Sequence, residues 1–273
     1  MEIETESPAW LDKSHPNFLR WQKGRLAAEA RGNFVKEIIS HLFECKNLSV
    51  LDLGSGEGGT SKVFSKDNFV VSFDLSLTRL IRQNNFSDLH RVNGNGLILP
   101  FKNNSFDLII IQDVIEHLQT INEFCGEIKR GLKQNGTIYL STPNKLSIFN
   151  LIADPHFGLP IVSFLKRENI RKYFLRYFRK KDFVRTDVAQ LLSLKELLKI
   201  FHEDFEIQLH TKFSVKELFN GNKGIVWSEF HLTIIRLCKF INLDWLITKL
   251  ANDKFGLVNK IFTPTFYLTL KRK

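Results

Sequence analysis

Val50-Leu-Asp-Leu-Gly-Ser-Gly-Glu-Gly-Gly59 is the most informative stretch of the 273-residue chain. An apolar run enters a turn with glycines at 54, 56, 58 and 59, and a helical pattern follows. Glycine lets the backbone turn tightly and approach a ligand closely, and a helix start offers free N–H donors. Twenty residues beyond Gly54, Asp74 closes the next apolar run, where a carboxylate can accept from both hydroxyls of a ribose. Loop and acid together imply a nucleoside-containing ligand.

Outward from this loop, short apolar runs alternate with helix-like segments. Residues 48–53, 69–73, 106–111 and 137–140 read as strands, and residues 34–43 and 121–132 as helices. Asn103-Asn104 and Asn135-Gly136 are turn signals before two of those strands. Further on, Ser193-Leu-Lys-Glu196 reads as a capping box opening a helix over 194–201; a strand follows at 205–209, and residues 265–270 alternate like an edge strand. Strands alternating with helices imply an α/β fold with a parallel sheet covered on both faces. Of the 15 glycines, 11 fall between Gly24 and Gly136, so short turns with strands dominate early and longer helices late.

The composition is 43% hydrophobic, 12% aromatic and 25% charged, which suits a folded globular protein and excludes a disordered or fibrous one. No uninterrupted apolar run reaches the ~18 residues of a membrane span, and the acidic start MEIETESPAW does not resemble a signal peptide. Cys45, Cys125 and Cys238 lie far apart without CxxC spacing, against a disulfide framework or a cysteine zinc site. The expected setting is reducing and cytoplasmic, with peripheral membrane contact left open.

Basic residues exceed acidic ones, 39 against 29, for a formal charge of +10. Between Lys166 and Arg185 stand nine basic and two acidic residues, so +7 of that excess sits in twenty positions, interleaved with Tyr173, Phe174, Tyr177 and Phe178. Three readings compete for this segment: a helix on an anionic membrane surface, a nucleic-acid contact, or an apolar face packed on the domain beneath a solvated basic one. A second apolar helical stretch lies at 230–262, with lysines and arginines too frequent for a spanning helix.

Gly54, Gly56 and Gly59 satisfy GxGxxG, a pattern that by itself does not separate dinucleotides from other nucleoside ligands. Asp52, two residues before Gly54, suits a ligand carrying a cationic amino acid better than a pyrophosphate. Over about residues 45–145 the chain resembles the class I S-adenosylmethionine-dependent methyltransferases, of the methyltransferase type 11 or ubiquinone-pathway O-methyltransferase kind. Val50–Gly59 resembles that family's first motif and Asp74 its ribose-binding acid. Asn93-Gly-Asn-Gly-Leu-Ile-Leu-Pro-Phe101 resembles the third-strand loop, with Asn95 in place of the usual Asp, and Ser105–Leu118 and Leu132–Asn144 resemble the fourth- and fifth-strand regions.

The resemblance implies a Rossmann-like, seven-stranded, mostly parallel sheet with helical lid insertions. Residues 1–45 would form an N-terminal helical cap, 46–145 the cofactor-binding core, 146–192 a basic aromatic lid insert, and 193–273 the rest of the core with a helical insertion at 212–262. It implies that Gly54, Ser55, Gly56 and Asp74 hold S-adenosyl-L-methionine, with Asp52, Leu75, Asn95, Gly96 and Gln112 around it. Trp10, Phe18 and Trp21, with Arg20 and Arg25, would form a helix closing over the cofactor.

Asp113-Val-Ile-Glu-His117 stands at the exit of the fourth strand, where sheets of this type place reactive groups. If Asp113 opens a helical turn, positions 113, 116 and 117 share one face. The segment resembles the E-x-x-E-H motif of certain O-methyltransferases, so Asp113, Glu116 and His117 are candidate ligands for a divalent metal such as Mg. Asp113, His117 and His156, the last in the Asp154–Pro160 loop, are candidates for activating the acceptor, His156 as a general base. The expected activity is methyl transfer to a hydroxyl of a small, lipid-linked or glycan-type acceptor. An RNA methyltransferase, a nicotinamide oxidoreductase and a non-catalytic binding protein are the alternatives.

Overall fold

Seven strands join in one sheet in the order β3-β2-β1-β4-β5-β7-β6 in this computed structural model, which describes residues 9–83, 89–183, 185, 187–225 and 229–273. The first eight residues of the expected cap and residues 226–228 of the expected insertion lie outside the described residues. The strands are β1 (Ser49–Leu53), β2 (Phe69–Asp74), β3 (His90–Asn93), β4 (Phe106–Gln112), β5 (Leu132–Pro143), β6 (Phe205–Leu209) and β7 (Thr265–Arg272). The pairings β1 with β2, β1 with β4, β2 with β3 and β4 with β5 are parallel, and β7 runs antiparallel to both β5 and β6.

The near-continuous apolar runs follow from burial on both faces. Leu51, Leu53, Phe73, Ile109 and Ile111 point to one side, with Phe124 and Ile128. Val50, Val70, Leu108, Ile110 and Tyr139 point to the other, with Phe34, Val35, Ile38 and Ile39. The covering helices are α1 (Phe18–Leu26), α2 (Ala28–Ser40), α3 (Gly59–Ser65), α4 (Leu77–Ile81) and α5 (Ile121–Gly131).

The structure departs from the sequence reading at four elements. Strand β7 is interior, flanked by β5 and β6, so the edges are β3 and β6. Strand β3 carries no buried residue, so its pattern offers no apolar signal. Strand β5 begins at Leu132, which pairs with Phe106, and a register irregularity between Phe106 and Leu108 absorbs the Asn135-Gly136 signal. Helix α2 begins six residues before Phe34 and includes Gly32. A Cβ on Gly32 would lie 2.8 Å from Thr60 Cα, so the glycine allows α2 and α3 to pack closely.

Two inserts leave the carboxyl edge of the sheet. The first runs from Asn144 to Leu192, and the Ser193 capping box then opens the helix Leu194–Phe201. Ser193 Oγ accepts from the Glu196 N–H at 3.3 Å, and a Glu196 carboxylate oxygen accepts from the Ser193 N–H at 2.7 Å. The second insert leaves β6 at His210 and returns into β7 at Pro264. Asn144 ties the two together, its Nδ2 donating to the carbonyls of Asn259, Lys260 and Thr263.

Candidate active site

The glycine loop turns as its sequence requires. Gly54 has φ +78°, and a Cβ there would meet Val114 Cγ2 at 2.3 Å, so no other residue fits the turn. The Gly54 and Ser55 N–H groups donate to Phe73 O, fastening the loop to β2. Asp74 is buried beside it, and its carboxylate accepts from the N–H groups of Gly56 and Ser76, each at 2.8 Å. A carboxylate has about four lone-pair positions, so acceptor capacity remains for hydroxyls.

Asp52 lies under the loop, 3% exposed, and accepts from Ser61 Oγ at 2.5 Å. Burial pushes its pKa up to about 6. Gln112 accepts from Thr60 Oγ1 at 2.6 Å, joining the end of β4 to α3. Leu75 is 75% exposed. Asn95 is exposed, and its side-chain oxygen accepts from the Leu97 N–H, shaping its own loop. Gly96 packs toward Phe124. The expected single helix of Trp10, Phe18 and Trp21 does not form: Trp10 lies in a short 3₁₀ turn, Ala9–Leu11, apart from α1, because residues 12–17 turn between them. Arg25 and Arg79 lie over the Trp10 ring, and Arg25 and Arg82 converge on Glu57 of the glycine loop.

At the exit of β4, Asp113 has φ +54°, a left-handed conformation that non-glycine residues seldom adopt outside sites under constraint. The turn that follows, Ile115–His117, is a short 3₁₀ helix that excludes Asp113. The expected shared face of 113, 116 and 117 therefore does not form. The Asp113 carboxylate instead meets Arg31 Nη2 of α2 at 2.6 Å, which removes it from the metal set and occupies it as a base. Burial opposes the Arg31 charge, but Asp113 outweighs it and holds the guanidinium pKa above its ordinary value.

In place of Asp113, the structure brings His156 to the other two. Ligating atoms of Glu116, His117 and His156 all lie within 4.8 Å of one another. Glu116 is 1% exposed; Thr142 Oγ1 donates to one carboxyl oxygen at 2.9 Å, while the other has no hydrogen-bond partner and stands 3.7 Å from His156 Nε2. The rings of His117 and His156 meet edge to face at 5.1 Å. Burial, then the neighbouring Asp113, pushes Glu116 up to about 8, and burial lowers the pKa of both imidazoles. At neutral pH the cluster is therefore uncharged.

The first insert builds this cluster. Asp154 accepts from the N–H groups of His156 and Phe157, a turn that presents the imidazole, and burial pushes Asp154 up to about 6. Asn17 Nδ2 donates to His156 O, and Arg20 donates to the carbonyls of Asp154 and Pro155. Arg167 donates to the carbonyls of Glu116, Leu118 and Val188. The Asp187 carbonyl faces His117 Nδ1 at 2.9 Å. The sequence reading assigned no site role to Arg31, Thr60, Thr142 or Arg167, because each acts on a partner far away in the chain.

Residues 51–140 match the family model for a methyltransferase domain. The chain is 28% identical over 147 residues to an uncharacterized protein of Methanocaldococcus jannaschii, covering 54% of this chain and 63% of that protein. It is 26% identical over 117 residues to a ubiquinone biosynthesis O-methyltransferase of Rickettsia canadensis, covering 41% and 50%. The chain thus spans about half the length of these curated relatives. A crystal structure of an S-adenosylmethionine-dependent methyltransferase from Archaeoglobus fulgidus superposes with a TM-score of 0.55 at 17% identity, covering 94% of this chain and all of that one.

Sheet order, glycine loop and matched domain define a Rossmann-like methyltransferase fold. Residues 51–140 thus carry the methyltransferase-domain match, and the solved S-adenosylmethionine-dependent methyltransferase shares the fold of the chain; a domain of this kind implies S-adenosylmethionine as cofactor. The dinucleotide reading of the same glycines does not fit this sheet. A Rossmann dinucleotide fold continues 3-2-1-4-5-6, whereas here an antiparallel β7 separates β5 from β6.

Proposed function

We propose that the protein transfers the methyl group of S-adenosylmethionine to a hydroxyl of a small, lipid-linked or glycan-type acceptor at the β4 exit. Gly54, Ser55, Gly56 and Asp74 would hold the cofactor, with Asp52, Leu75, Asn95, Gly96 and Gln112 around it. The observation that carries this reading is the convergence of Glu116, His117 and His156 at the β4 exit, with ligating atoms within 4.8 Å of one another. An amine attacks the sulfonium methyl through its own lone pair, whereas a hydroxyl must lose its proton, and two neutral imidazoles stand here to take it. The Asp187 carbonyl can only accept, so His117 carries its proton on Nδ1 and keeps the Nε2 lone pair.

In the reaction the acceptor oxygen bonds to the methyl carbon, the carbon–sulfur bond breaks, and S-adenosylhomocysteine leaves. The hydroxyl proton passes to an imidazole. Glu116 Oε1 stands 3.7 Å from His156 Nε2, beyond hydrogen-bond distance, and the His156 ring is held instead through its own backbone by Asp154 and Asn17. The sulfonium is already an activated donor, so holding donor and acceptor in line contributes much of the acceleration. The similarity to the ubiquinone biosynthesis O-methyltransferase supports an oxygen acceptor.

A second reading is a divalent ion held by Glu116, His117 and His156, favoured by the 4.8 Å convergence. Two imidazoles and one carboxylate suit Zn, Mn or Fe. They do not suit Mg, which takes oxygen ligands, so the donor set fits a transition metal only. Such an ion would polarise the acceptor oxygen.

Calorimetry with S-adenosylmethionine and mass spectrometry of treated lipid and glycan extracts test the proposal. Asp74→Ala should weaken cofactor binding by roughly ten- to hundredfold, the worth of about 1.5–3 kcal/mol for hydrogen bonds to a charged group. His117→Ala should cut turnover by about 10²–10⁴ while cofactor binding persists. Products gaining one methyl only on amines would overturn the hydroxyl acceptor, and chelation without effect on turnover would remove the metal.

A further inference from the structure

Among the described residues, two segments that rise from the carboxyl edge of the sheet leave large apolar side chains exposed. The first is the outer side of residues 167–180. Ile170 and Leu175 turn inward against Phe157, Val162 and Val188, which leaves Lys172, Tyr173, Arg176, Tyr177, Phe178 and Lys180 exposed. The second is the helical pair Glu229–Phe240 and Asp244–Leu250. No side chain from Leu232 to Leu250 is buried, although Leu237, Phe240, Ile241 and Trp245 lie there; Phe240 is 84% exposed and Trp245 62%. Asn144 and Asn150 at the start of the first insert hydrogen-bond residues 259–264 at the end of the second, so both faces rise from one edge of the molecule.

Charge decides what covers them. Among the described residues, none of Lys172, Arg176, Lys180, Lys239 and Lys249 pairs with a carboxylate; Lys172 and Lys249 lie instead over the rings of Tyr173 and Trp245. The first face, with Lys172, Arg176 and Lys180 unpaired, repels a second copy of itself. Nucleic acid would satisfy the cations and stack on the tyrosines, Phe240 and Trp245, but it would leave Leu237, Ile241 and Leu250, which offer neither a ring nor a polar group, in water. An anionic bilayer matches every part: headgroups for the lysines and arginines, the interfacial zone for tyrosine and tryptophan, and acyl chains for the aliphatic side chains.

We propose that these two faces dock the protein on an anionic lipid bilayer, lying in its surface without crossing it, with the carboxyl edge and its site turned toward the lipid. No helix among the described residues is long and apolar enough to cross a membrane. The docking deepens the lipid-linked acceptor of the proposed function and stands on surface chemistry alone, so the two readings fail separately.

The test is co-sedimentation of the full chain with vesicles of equal parts phosphatidylglycerol and phosphatidylcholine, against vesicles of phosphatidylcholine alone. Binding should require the anionic lipid and weaken with added salt. Lys172→Glu with Arg176→Glu should reduce it by about tenfold or more. Trp245→Phe should keep sedimentation while removing part of the tryptophan quenching by brominated lipid, and Phe240→Ser with Trp245→Ser should weaken attachment itself. All variants should retain wild-type affinity for S-adenosylmethionine by calorimetry, a readout that reports the cofactor site independently. Absence of sedimentation with anionic vesicles at low salt would overturn the proposal, as would a dimer that shields Trp245 in solution or single-stranded RNA that displaces the bound vesicles.

Discussion

The two inserts have similar compositions and opposite constructions. The first, between β5 and the helix Leu194–Phe201, folds a small core of Phe157, Val162, Ile170, Leu175 and Val188 and is fastened to its surroundings by Asn17, Arg20 and Arg167. The second, between β6 and β7, has no buried side chain over Leu232–Leu250. Basic residues punctuate both, and amphipathic spacing alone would have called either one a lid. The difference teaches that an apolar pattern measures what a segment can bury; whether it does so depends on neighbours supplied by the fold.

The sharpest way to break this contrast is Leu175→Ala. Leu175 is fully buried in the first insert, and truncation should cost about 2–5 kcal/mol, read as a fall in the denaturation midpoint. The loss should also hydrate Glu116, because the insert is what covers it.

The next effect is the pH dependence that this cover creates. Glu116 has an ordinary pKa of 4.5 and is raised to about 8 in the fold, so its contribution to stability is fully present below about 4.5 and is lost as pH rises through 8. Wild-type protein should melt lower at pH 9 than at pH 7, a window above that in which the lowered His117, His156 and His210 titrate. Glu116→Gln should flatten that slope between pH 7 and 9; below pH 6 the raised Asp52 and Asp154 and the lowered His117, His156 and His210 act in opposite directions. An unchanged slope would mean that Glu116 is hydrated in solution.

A smaller effect is expected at the boundary of the first insert. Ser193→Ala removes one half of the capping box and should cost about 1 kcal/mol, measured by chemical denaturation. Least of all should Leu237→Ala do in the second insert. With the side chain 57% exposed, the midpoint should stay within about 0.5 kcal/mol of wild type in the absence of vesicles. A loss as large as that of Leu175→Ala would show that the second insert has a protein partner.

Much of the core was legible in the residues themselves. The strand-loop-helix at Val50–Gly59, the acid at Asp74 and the Ser193–Glu196 capping box are local features, in which neighbours in sequence are neighbours in space. Strand β3 was not legible, because an exposed four-residue edge has no burial pattern to display. Nor was the interior place of β7, since alternation reveals which face is buried and not how many neighbours a strand has.

The site divides along the same line. From the sequence alone, the strand-to-helix glycine loop, the carboxyl-edge position of Glu116 and His117, and the concentration of charge in Lys166–Arg185 could all be derived, for each rests on contiguous residues. Only the tertiary structure decided which of those groups act together. A left-handed Asp113 turns its carboxylate to Arg31, and a loop 39 residues beyond His117 brings His156 to Glu116 in its place. The reason is physical: spacing along a chain predicts proximity only while the backbone keeps one regular conformation, and at the exit of β4 it does not.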